Sequence, residues 1–318
     1  RGLGDVYKRQ TVNGANDAPT ASNNTVTTNE DTTYTFTASD FGFSDVDGDT
    51  LSSVTVSALS GSDGTFLLNG VAITGSTSVT KTQIDSGLLT FVPDSNENGS
   101  SYNTFTFTVN DGTTDSASSY TMTVDVTAVN DAPTASNNTV TTNEDTDHTF
   151  AASEFGFTDV DGDSLDHVSI ETLPSNGTLL LSGVAISAGD QISAANISNL
   201  VFRPAANANG ASYDTFTFTV NDGTTDSASS YTMTVDVTAV NDAPTASNNT
   251  VTTNEDTDHT FAASEFGFTD VDGDSLDHVS IETLPSNGTL LLSGSAVSAG
   301  DQISVSYTHL TLPTSVPV

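Results

Sequence analysis

The chain has 318 residues, with 41 acidic side chains against 5 basic ones and no cysteine. A surface this acidic repels phosphate groups, which argues against nucleic acid and anionic lipid as partners. The lack of cysteine excludes a disulfide framework and a cysteine-ligated zinc site, and no run approaches the roughly 20 apolar residues of a membrane-spanning helix, so no membrane insertion of this segment is expected.

The excess of carboxylates has two interpretations, and both can hold. In a salty medium, where charges are screened beyond about 8 Å, many carboxylates keep a protein in solution. Carboxylates that lie close together along the chain instead predict a site for a divalent cation. The spacing of the acidic residues therefore has to decide between the two.

Three copies of one unit follow each other along the chain. The run NDAPTASNN begins at Asn16, Asn130 and Asn241. The segment 104–183 recurs without change as 215–294. Such identity indicates a recent duplication, so the first copy, which differs more, is the more informative one.

These repeats predict the domain organisation. Residues 1–10 fit no position of the repeat and carry most of the basic charge, so we interpret them as a non-native leader. Residues 305–318 also fit no position, and we interpret them as a non-native tail on what is expected to be an internal piece of a longer protein. The predicted repeats are 11–129, of which 11–15 end a preceding repeat, then 130–240, and a truncated third repeat at 241–304.

Each complete repeat is predicted to be all-β. Apolar and polar residues alternate from Thr104 to Val109 and again from Tyr120 to Val126, as in strands with one buried face. The Asp111-Gly112 pair between them favours a tight hairpin turn. Further short runs of this kind lie at 34–36, 54–56, 66–68 and 88–92. About seven strands in roughly 110 residues are typical of an immunoglobulin-like Greek-key β-sandwich, and no amphipathic helix is predicted.

The third repeat follows the second as far as Ser304 and then departs from it. The second repeat continues with apolar runs at 200–202, 216–220 and 231–237, which have no counterparts in the third. We therefore expect the third repeat to lack about half of its sandwich and to expose unpaired strand edges.

The run Asp-Val-Asp-Gly-Asp occurs once in each repeat and is the densest group of carboxylates. In extended backbone, alternate side chains lie on one face about 6.6–6.8 Å apart, and the glycine lets the chain curl and bring them closer. Oxygen-only ligands suit Ca²⁺, although the spacing is not that of an EF-hand; the other interpretation is an acidic surface loop. The candidate ligands are Asp45, Asp47 and Asp49, then Asp159, Asp161 and Asp163, then Asp270, Asp272 and Asp274.

A second group of polar side chains lies at the start of each repeat. Asn130 and Asp131 offer side-chain oxygens between two repeats, and Asn241 and Asp242 are their copies. Pro133 follows and stiffens this boundary, because proline fixes φ. The group is a candidate for cation binding, and the alternative is an ordinary Asx turn before proline.

A third acidic group lies farther into each repeat. Its members are Glu30 and Asp31, with the copies Glu144 and Asp145. The group is interpreted either as part of a calcium site or as a solvated strand start. Asp111 and Asp222 are interpreted as turn residues, because each precedes a glycine between two predicted strands.

Together these residues resemble cadherin repeats. The run from Val124 to Pro133 is similar to the cadherin linker, in which an Asp-x-Asn-Asp-Asn run binds calcium between domains. Asn130 and Asp131 match its Asn-Asp, whereas Ala132 replaces the last Asn. The spacing from Asn130 to Asp159 is close to that between the cadherin linker and its Asp-x-Asp loop. The whole unit resembles the cadherin-like tandem repeats of large bacterial adhesins, including those secreted with RTX-type regions.

This resemblance implies an extracellular protein of the bacterial cell surface that binds Ca²⁺ and acts in cell adhesion and biofilm attachment. Its partners would be neighbouring repeats of the same chain and a cell-surface protein or glycan, and calcium would stiffen the repeats into a rod. The alternative is a passive spacer that projects a terminal binding or enzymatic domain, which near-identical repeats favour. An exposed aromatic patch, with Tyr102 and Phe41 as candidates, would instead favour direct adhesion.

Enzymatic activity is not expected. The sequence has no nucleophile elbow and no phosphate-binding loop. Carboxylate pairs are compatible with glycoside hydrolysis, but no single non-repeated region could form a cleft. Zinc binding by histidine is not expected either, because His148 and His167 align with Tyr34 and Ser53 of the first repeat.

Overall fold

The structure, a computed structural model, describes residues 14–306 and 310–312. The predicted leader at 1–10 lies outside the described residues, as does most of the predicted tail. The chain divides into two compact units. One unit runs to Pro133 and also contains Thr158–Ser164; the other comprises Thr134–Phe157 and the chain from Leu165 onward.

The first repeat contains nine strands rather than about seven, because two of them have only two residues. Their bounds are β1 Asn24–Asn29, β2 Tyr34–Thr35, β3 Ser53–Val56, β4 Thr65–Leu68, β5 Val71–Ala72, β6 Thr77–Thr80, β7 Leu89–Val92, β8 Gly99–Asn110 and β9 Tyr120–Thr127. One sheet has the order β1-β9-β8-β3-β6 and the other β2-β7-β4-β5. β1 runs parallel to β9, and the remaining neighbours are antiparallel.

The second repeat has the same architecture. Its strands are β10 Asn138–Asn143, β11 His148–Thr149, β12 His167–Thr172, β13 Gly177–Leu181, β14 Val184–Ala185, β15 Gln191–Ser193, β16 Leu200–Pro204, β17 Gly210–Asn221 and β18 Tyr231–Thr238. They form sheets of the order β10-β18-β17-β12-β15 and β11-β16-β13-β14. Again the first strand runs parallel to the last, so the strand order repeats along with the sequence.

The core of each complete repeat lies between its two sheets and is rich in phenylalanine. The ring of Phe36 meets those of Phe66 and Phe105 at centroid distances of 5.6 and 5.5 Å. In the second repeat, Phe150 meets Phe216 at 5.6 Å. Burying such a side chain stabilises a fold by about 1.5–3 kcal/mol. The alternation of apolar residues in β8 and β17 thus serves the core, as predicted.

Short helices, which were not predicted, connect some strands. The α-helix α1 spans Lys81–Asp85, and Oγ1 of Thr80 accepts a hydrogen bond from the N–H of Gln83 at its start. A five-residue helix is too short to show helical periodicity in the sequence. The 3₁₀ helices span Ala38–Phe41, Ala152–Phe155, Ala194–Asn199 and Ala263–Phe266. None of the helices within the described residues is long and apolar enough to cross a bilayer.

The connection between β8 and β9 differs from the predicted tight hairpin. Tyr120 pairs with Phe107, and residues 111–119 form a longer loop between the two strands. Oδ1 of Asp111 accepts hydrogen bonds from the N–H groups of Thr113 and Thr114 at 2.6 and 2.7 Å. The aspartate therefore closes an Asx-type turn inside the loop instead of occupying a two-residue turn.

The described part of the third repeat contains six short strands. They are β19 His259–Thr260, β20 His278–Ser280, β21 Leu291–Leu292, β22 Ser295–Ala296, β23 Gln302–Ser304 and β24 Leu310–Leu312. The expectation that nothing after Ser304 joins the sandwich is wrong at one point, because β24 pairs with β19 and β21. β24 takes the place of β16, and the alternating Leu-Thr-Leu run suits such a strand. Within the described residues, no strand of the third repeat takes the place of β17 or β18.

Candidate metal centre

The Asp-Val-Asp-Gly-Asp loop folds back on its own first carboxylate. In the first repeat, Oδ1 of Asp45 accepts hydrogen bonds from the N–H groups of Asp47 and Asp49 at 2.8 and 3.2 Å. Gly48 has a φ of 84°, a left-handed conformation that is easy only for glycine. The loop therefore curls, as its glycine predicted, and ligand oxygens of Asp45, Asp47 and Asp49 lie within 4.8 Å of one another.

The loop of the second repeat has the same geometry. The N–H of Asp163 donates to Oδ1 of Asp159 at 3.0 Å, and oxygens of Asp159, Asp161 and Asp163 lie within 4.8 Å of one another. In the third repeat, Oδ1 of Asp270 accepts from the N–H groups of Asp272 and Asp274 at 3.0 and 3.1 Å. The curl of the backbone is thus the same in all three loops.

The aspartate near the start of each repeat is hydrogen-bonded to the middle of this loop. The N–H of Asp131 donates to Oδ2 of Asp161 at 2.7 Å, and both residues belong to the first compact unit. The same bond recurs, at 2.7 and 2.6 Å, in the pairs Asp17–Asp47 and Asp242–Asp272. Sequence reasoning did not select Asp17, although it is the counterpart of Asp131. The linker group and the loop group thus form one cluster.

Glu30 is the buried end of the cluster around Asp131. Its side chain is 2% exposed. Oε1 accepts a hydrogen bond from the N–H of Val129 at 2.5 Å, and Oε2 accepts one from the side-chain amide of Asn98 at 3.3 Å. Asp31 next to it accepts the N–H of Asn96 at 3.2 Å. These contacts hold both acidic side chains in place beside the linker.

The second compact unit repeats this arrangement with different residues. Glu144 is 3% exposed, and it accepts the N–H of Val240 at 2.6 Å and the amide of Asn209 at 3.0 Å. Asp145 accepts the N–H of Asn207 at 3.0 Å. The hydrogen bonds to Glu144 from Asn209 and Val240 lower the pKa of its carboxyl group. Glu144 is therefore held in its ionised form.

Negative charges converge on Asp131. Burial is the largest cause that raises the pKa of its carboxyl group, and four neighbouring charges raise it further, those of Asp161, Asp31, Glu30 and Asp159. Oδ2 of Asp131 and Oδ2 of Asp159 are buried and have no hydrogen-bond partner. A buried carboxylate oxygen without a donor or a cation costs free energy. The Asp131 carboxylate is therefore unfavourably placed unless a cation lies beside it.

Asp242 is in the same position in the second compact unit. Burial raises the pKa of its carboxyl group first, and the charges of Asp272, Asp145, Glu144 and Asp270 add to the effect. Its Oδ2 is also buried without a hydrogen-bond partner. Ligand oxygens of Glu144, Asp242 and Asp272 lie within 4.8 Å of one another. In both clusters, therefore, a buried carboxylate oxygen has no hydrogen-bond donor and lies near other negative charges.

The structure brings most of the predicted ligands together and adds two asparagines. Asn130 lines a groove with Asn96, Asn98 and Asp161, and its amide donates to the backbone oxygen of Asp131 at 2.9 Å; Asn241 makes the same bond to Asp242. Sequence reasoning missed Asn98 and its counterpart Asn209. The available signal was the Asn-x-Asn-Gly run, which occurs at 96–99 and again at 207–210.

The donor sets of these clusters are chemically uniform. Within the described residues, the three closest acidic groups contain carboxylates only, with neither histidine nor cysteine. Carboxylates, amide oxygens and backbone carbonyls are the ligands of hard cations, and Ca²⁺ takes six to eight of them. The buried, unpartnered Oδ2 atoms of Asp131 and Asp242 are in the places where such a set needs a positive charge. The residues present therefore fit Ca²⁺.

Comparison with known proteins identifies the repeat. The family model described as the bacterial Ig domain matches residues 16–127, 130–238 and 241–313. The predicted fold class, tandem immunoglobulin-like β-sandwiches, is thereby confirmed. The third match continues beyond Ser304, where the repeat was predicted to end. No curated protein matches the chain.

Several solved structures are similar to parts of this chain. An endo-fucoidan hydrolase of glycoside hydrolase family 107 is 18% identical over 72% of this chain and 30% of that chain, with a TM-score of 0.24. Drosophila N-cadherin EC1-4 is 17% identical over 71% of this chain and 50% of that chain, with a TM-score of 0.37. The titin domains Z1Z2 in complex with telethonin are 13% identical over 71% of this chain and 100% of that chain, with a TM-score of 0.23. The chain thus spans 30% of the length of the hydrolase, and these low TM-scores add nothing to the family match.

Proposed function

The chain belongs to the bacterial Ig domain family, and from this premise we propose that it is a calcium-binding segment of an extracellular adhesin, in which metal stiffens the repeats into a rod. Bacterial Ig domains are typically extracellular or on the cell surface, and tandem copies are consistent with an adhesin-like segment. We propose no enzymatic activity for it.

The carboxyl group of Asp131 is the observation that carries the calcium proposal. A solvated acidic loop, which is the competing interpretation, would leave each carboxylate in contact with water. Asp131 instead has a buried Oδ2 without a partner, and burial together with the carboxylates of two other chain segments, 30–31 and 159–161, raises the pKa of its carboxyl group. This arrangement supports a cation site, because a divalent cation offsets both the desolvation and the repulsion.

Calcium would join groups that are far apart in the sequence. A bound Ca²⁺ would supply positive charge to Glu30, the linker aspartate and the Asp-Val-Asp-Gly-Asp loop at once. Extracellular modules hold Ca²⁺ with a Kd of about 10⁻⁴–10⁻³ M, and at ten times Kd one site adds about 1.4 kcal/mol to stability. Several such sites matter for domains that have no disulfides.

The substitution Asp131→Asn tests the metal site. It keeps the shape of the side chain and removes one charge, so calorimetric titration of the complete chain with CaCl₂ should lose or weaken one binding event at least about tenfold. In chelator, the same variant should melt at a higher temperature than the parent chain, because it removes a negative charge that neighbouring carboxylates repel. In calcium, the variant should melt at a lower temperature than the parent chain.

Asp222→Asn is the matched control. Oδ1 of Asp222 accepts the N–H groups of Thr224 and Thr225 at 2.6 and 2.7 Å, and an asparagine oxygen can accept both. We expect calcium binding and both melting temperatures to stay near those of the parent chain. Equal calcium affinities for the Asp131→Asn chain and its parent would refute the proposed site.

The mechanical part of the proposal needs a separate measurement. Small-angle scattering of the complete chain should give a longer and narrower distribution of distances in calcium than in chelator, since carboxylates held by one cation no longer repel. Sodium chloride should not replace calcium, because screening removes repulsion without supplying a bridge. Unchanged scattering, with calcium binding confirmed by calorimetry, would limit the metal to a role inside each sandwich.

A passive spacer is the second candidate function, and one observation favours it. Phe41 is fully buried in the core. Tyr102 is partly buried, packs against Phe91, and its hydroxyl donates to Oε2 of Glu97 at 3.0 Å. Among the described residues, the exposed large apolar side chains are valines and leucines, without an aromatic one. Aromatic anchors are typical of protein interfaces.

An adhesion assay separates the two functions. Beads coated with the complete chain should detach from bacterial lawns and from immobilised glycans, in calcium, as readily as beads coated with an unrelated acidic protein if the repeats are a spacer. Calcium-dependent retention of the coated beads would instead support direct adhesion and a role in biofilm attachment.

A further inference from the structure

A bulge in the five-stranded sheet recurs in both complete repeats. Along β8 of the first repeat, Gly99 pairs with Val126 of β9, and the next aligned pair is Asn103 with Val124. Between these pairs, three residues of β8 lie opposite a single residue of β9, Asp125. A bulge of this kind bends its strand and redirects the side chains beside it. The chain just before Gly99 is therefore aimed by the bulge.

The middle of the bulge is held by the side chain of Asp125. Ser101 has a φ of 51°, in the left-handed region that residues with a Cβ rarely adopt and that Asn and Asp tolerate better than Ser. The N–H of Ser101 donates to Oδ1 of Asp125 at 2.6 Å. The aspartate thus supplies an acceptor to a backbone N–H that lies in the bulge, and it stabilises the unusual conformation of Ser101.

The second repeat has the same bulge and the same contact. The register of β17 against β18 shifts between Gly210 and Asp214. Ser212 has a φ of 48°, and its N–H donates to Oδ1 of Asp236 at 2.6 Å. The two aspartates therefore have the same structural role in the two repeats.

The bulge lies between the two donors that fix the buried glutamate of the cluster. Asn98 directly precedes the bulge, and its side-chain amide donates to Oε2 of Glu30 at 3.3 Å. Val129 follows β9, and its N–H donates to Oε1 of the same glutamate. The hydrogen bond from Ser101 to Asp125 therefore joins the two chain segments that carry these donors. Asp125 acts on Glu30 through both segments.

Unusual backbone is concentrated around the acidic clusters. Ten non-glycine residues within the described part of the chain have a positive φ, and six of these occupy three equivalent positions of the two complete repeats: Asp31, Asn96, Ser101, Asp145, Asn207 and Ser212. Such conformations persist only where surrounding contacts impose them, and they are frequent where ligands are held. The contacts that impose them are therefore expected to affect ligand binding.

We propose that Asp125 and Asp236 are positioning residues of the two cation clusters. Each holds its bulge in place, and the bulge presents the asparagine, Asn98 or Asn209, that fixes the buried glutamate. Neither aspartate would contact the cation itself. The inference rests on the calcium site proposed above, since it assigns a residue that sets the calcium affinity of that site. Removing a group that orients a metal ligand typically lowers metal affinity by about ten- to a hundredfold.

The first test is Asp125→Ala in the complete chain, titrated with CaCl₂ and followed by the amide resonances of each cluster. Calcium should bind at least about tenfold more weakly at the cluster of Glu30, because Ser101 loses its acceptor and the bulge relaxes. The cluster of Glu144 is the internal reference and should bind as before. Asp125→Asn keeps an oxygen acceptor and should bind calcium like the parent chain.

Ser101→Gly separates positioning from a general loss of structure. Glycine adopts a left-handed φ without support from a side chain, so the double variant Asp125→Ala/Ser101→Gly should recover most of the lost calcium affinity. A double variant as weak as Asp125→Ala would overturn the proposal. So would parent-like binding by Asp125→Ala, or weak binding by Asp125→Asn, which would assign the effect to charge.

A measurement in chelator separates this inference from the calcium proposal. The side-chain amide resonances of Asn98 should shift in Asp125→Ala and return to the parent positions in the double variant, with no metal present. Unchanged Asn98 resonances in Asp125→Ala would overturn the positioning role. If the parent chain binds no calcium but the Asn98 resonances respond as expected, the metal site is wrong and the positioning of Asn98 by Asp125 stands.

Discussion

Residues 138–143 and 249–254 have one sequence, Asn-Thr-Val-Thr-Thr-Asn, and two structures. In the second repeat they form β10, with Val140 paired to Val235 of β18 and 5% exposed. In the third repeat no strand is assigned, and Val251 is only partly buried. A strand with a single apolar residue therefore depends on its partner strand and not on its own propensity.

The same comparison links the core to the candidate metal centre. Glu144 is buried because Val240, just after β18, and Asn209, just before β17, both donate to it. Glu255, its copy in the third repeat, is exposed. The closing strands thus build the apolar core and also position the buried acid of the cluster. A repeat without these strands lacks both features.

The largest effect is expected when the two repeats are expressed separately. Residues 130–240 should fold alone, whereas residues 241–304 should not, because their three buried apolar residues among the described ones form too small a core. Amide-proton dispersion in NMR spectra decides the matter. A well-dispersed spectrum from 241–304 would show that the closing strands are not needed for folding.

One matched pair of substitutions compares the packing of the two repeats within the complete chain. Phe155→Ala should cost about 3–5 kcal/mol, because it removes a fully buried ring. Phe266→Ala should cost less than about 1 kcal/mol, because its ring is only partly buried. Hydrogen exchange of amides in each repeat gives the two values. Similar losses would mean that the third repeat is as well packed as the second.

Two aspartates of the second repeat should separate binding from folding. Asp161→Ala should weaken calcium binding at least about tenfold, because Asp161 accepts the N–H of Asp131 and lies among three carboxylates. Asp222→Ala should leave calcium affinity unchanged and cost about 1–3 kcal/mol, because two N–H groups of its loop lose their acceptor. Calorimetry and thermal melting measure the two effects. Equal losses of calcium affinity would show that the loops of Asp161 and Asp222 contribute equally to calcium binding.

The smallest effect is expected in the stability of the second repeat at acid pH. The folded-state pKa of Glu144 lies below its ordinary value of 4.5, so its contribution to stability is complete above that value and is lost as pH falls through the lowered pKa. Glu144→Gln should flatten the acid side of the stability profile of the second repeat. Glu255→Gln, at the exposed copy of this position in the third repeat, is the matched control. Hydrogen exchange at a series of pH values, in chelator, measures both.

Much of this fold was predictable from local pattern. The alternation in 104–109 and 120–126 predicted two strands that the structure contains within β8 and β9, and Gly48 predicted the curled acidic loop. β1 was not predicted, since its single buried valine gives no alternation. β24 was missed because it lies outside the repeated sequence, and α1 because it is too short for periodicity.

The candidate site was predictable in its members and only partly in its assembly. The resemblance to cadherin repeats related the linker to the acidic loop, and the hydrogen bond from Asp131 to Asp161 joins them in the structure. The Asn-x-Asn-Gly run marks Asn98 in the sequence, but its partner Glu30 could not be predicted, because the bond spans a long stretch of sequence. Such a contact exists only once the sandwich has closed.

The parallel pair β1–β9 imposes an order of events on synthesis. Asn24 pairs with Met122, so a repeat that emerges from the ribosome with its N-terminus first cannot close until nearly all of it has been made. Contacts so distant in sequence also slow folding. During that interval, a neighbouring repeat offers the same closing strand to the same first strand. Near-identity between neighbouring repeats therefore creates a risk of misfolding, in which strands of adjacent repeats exchange partners.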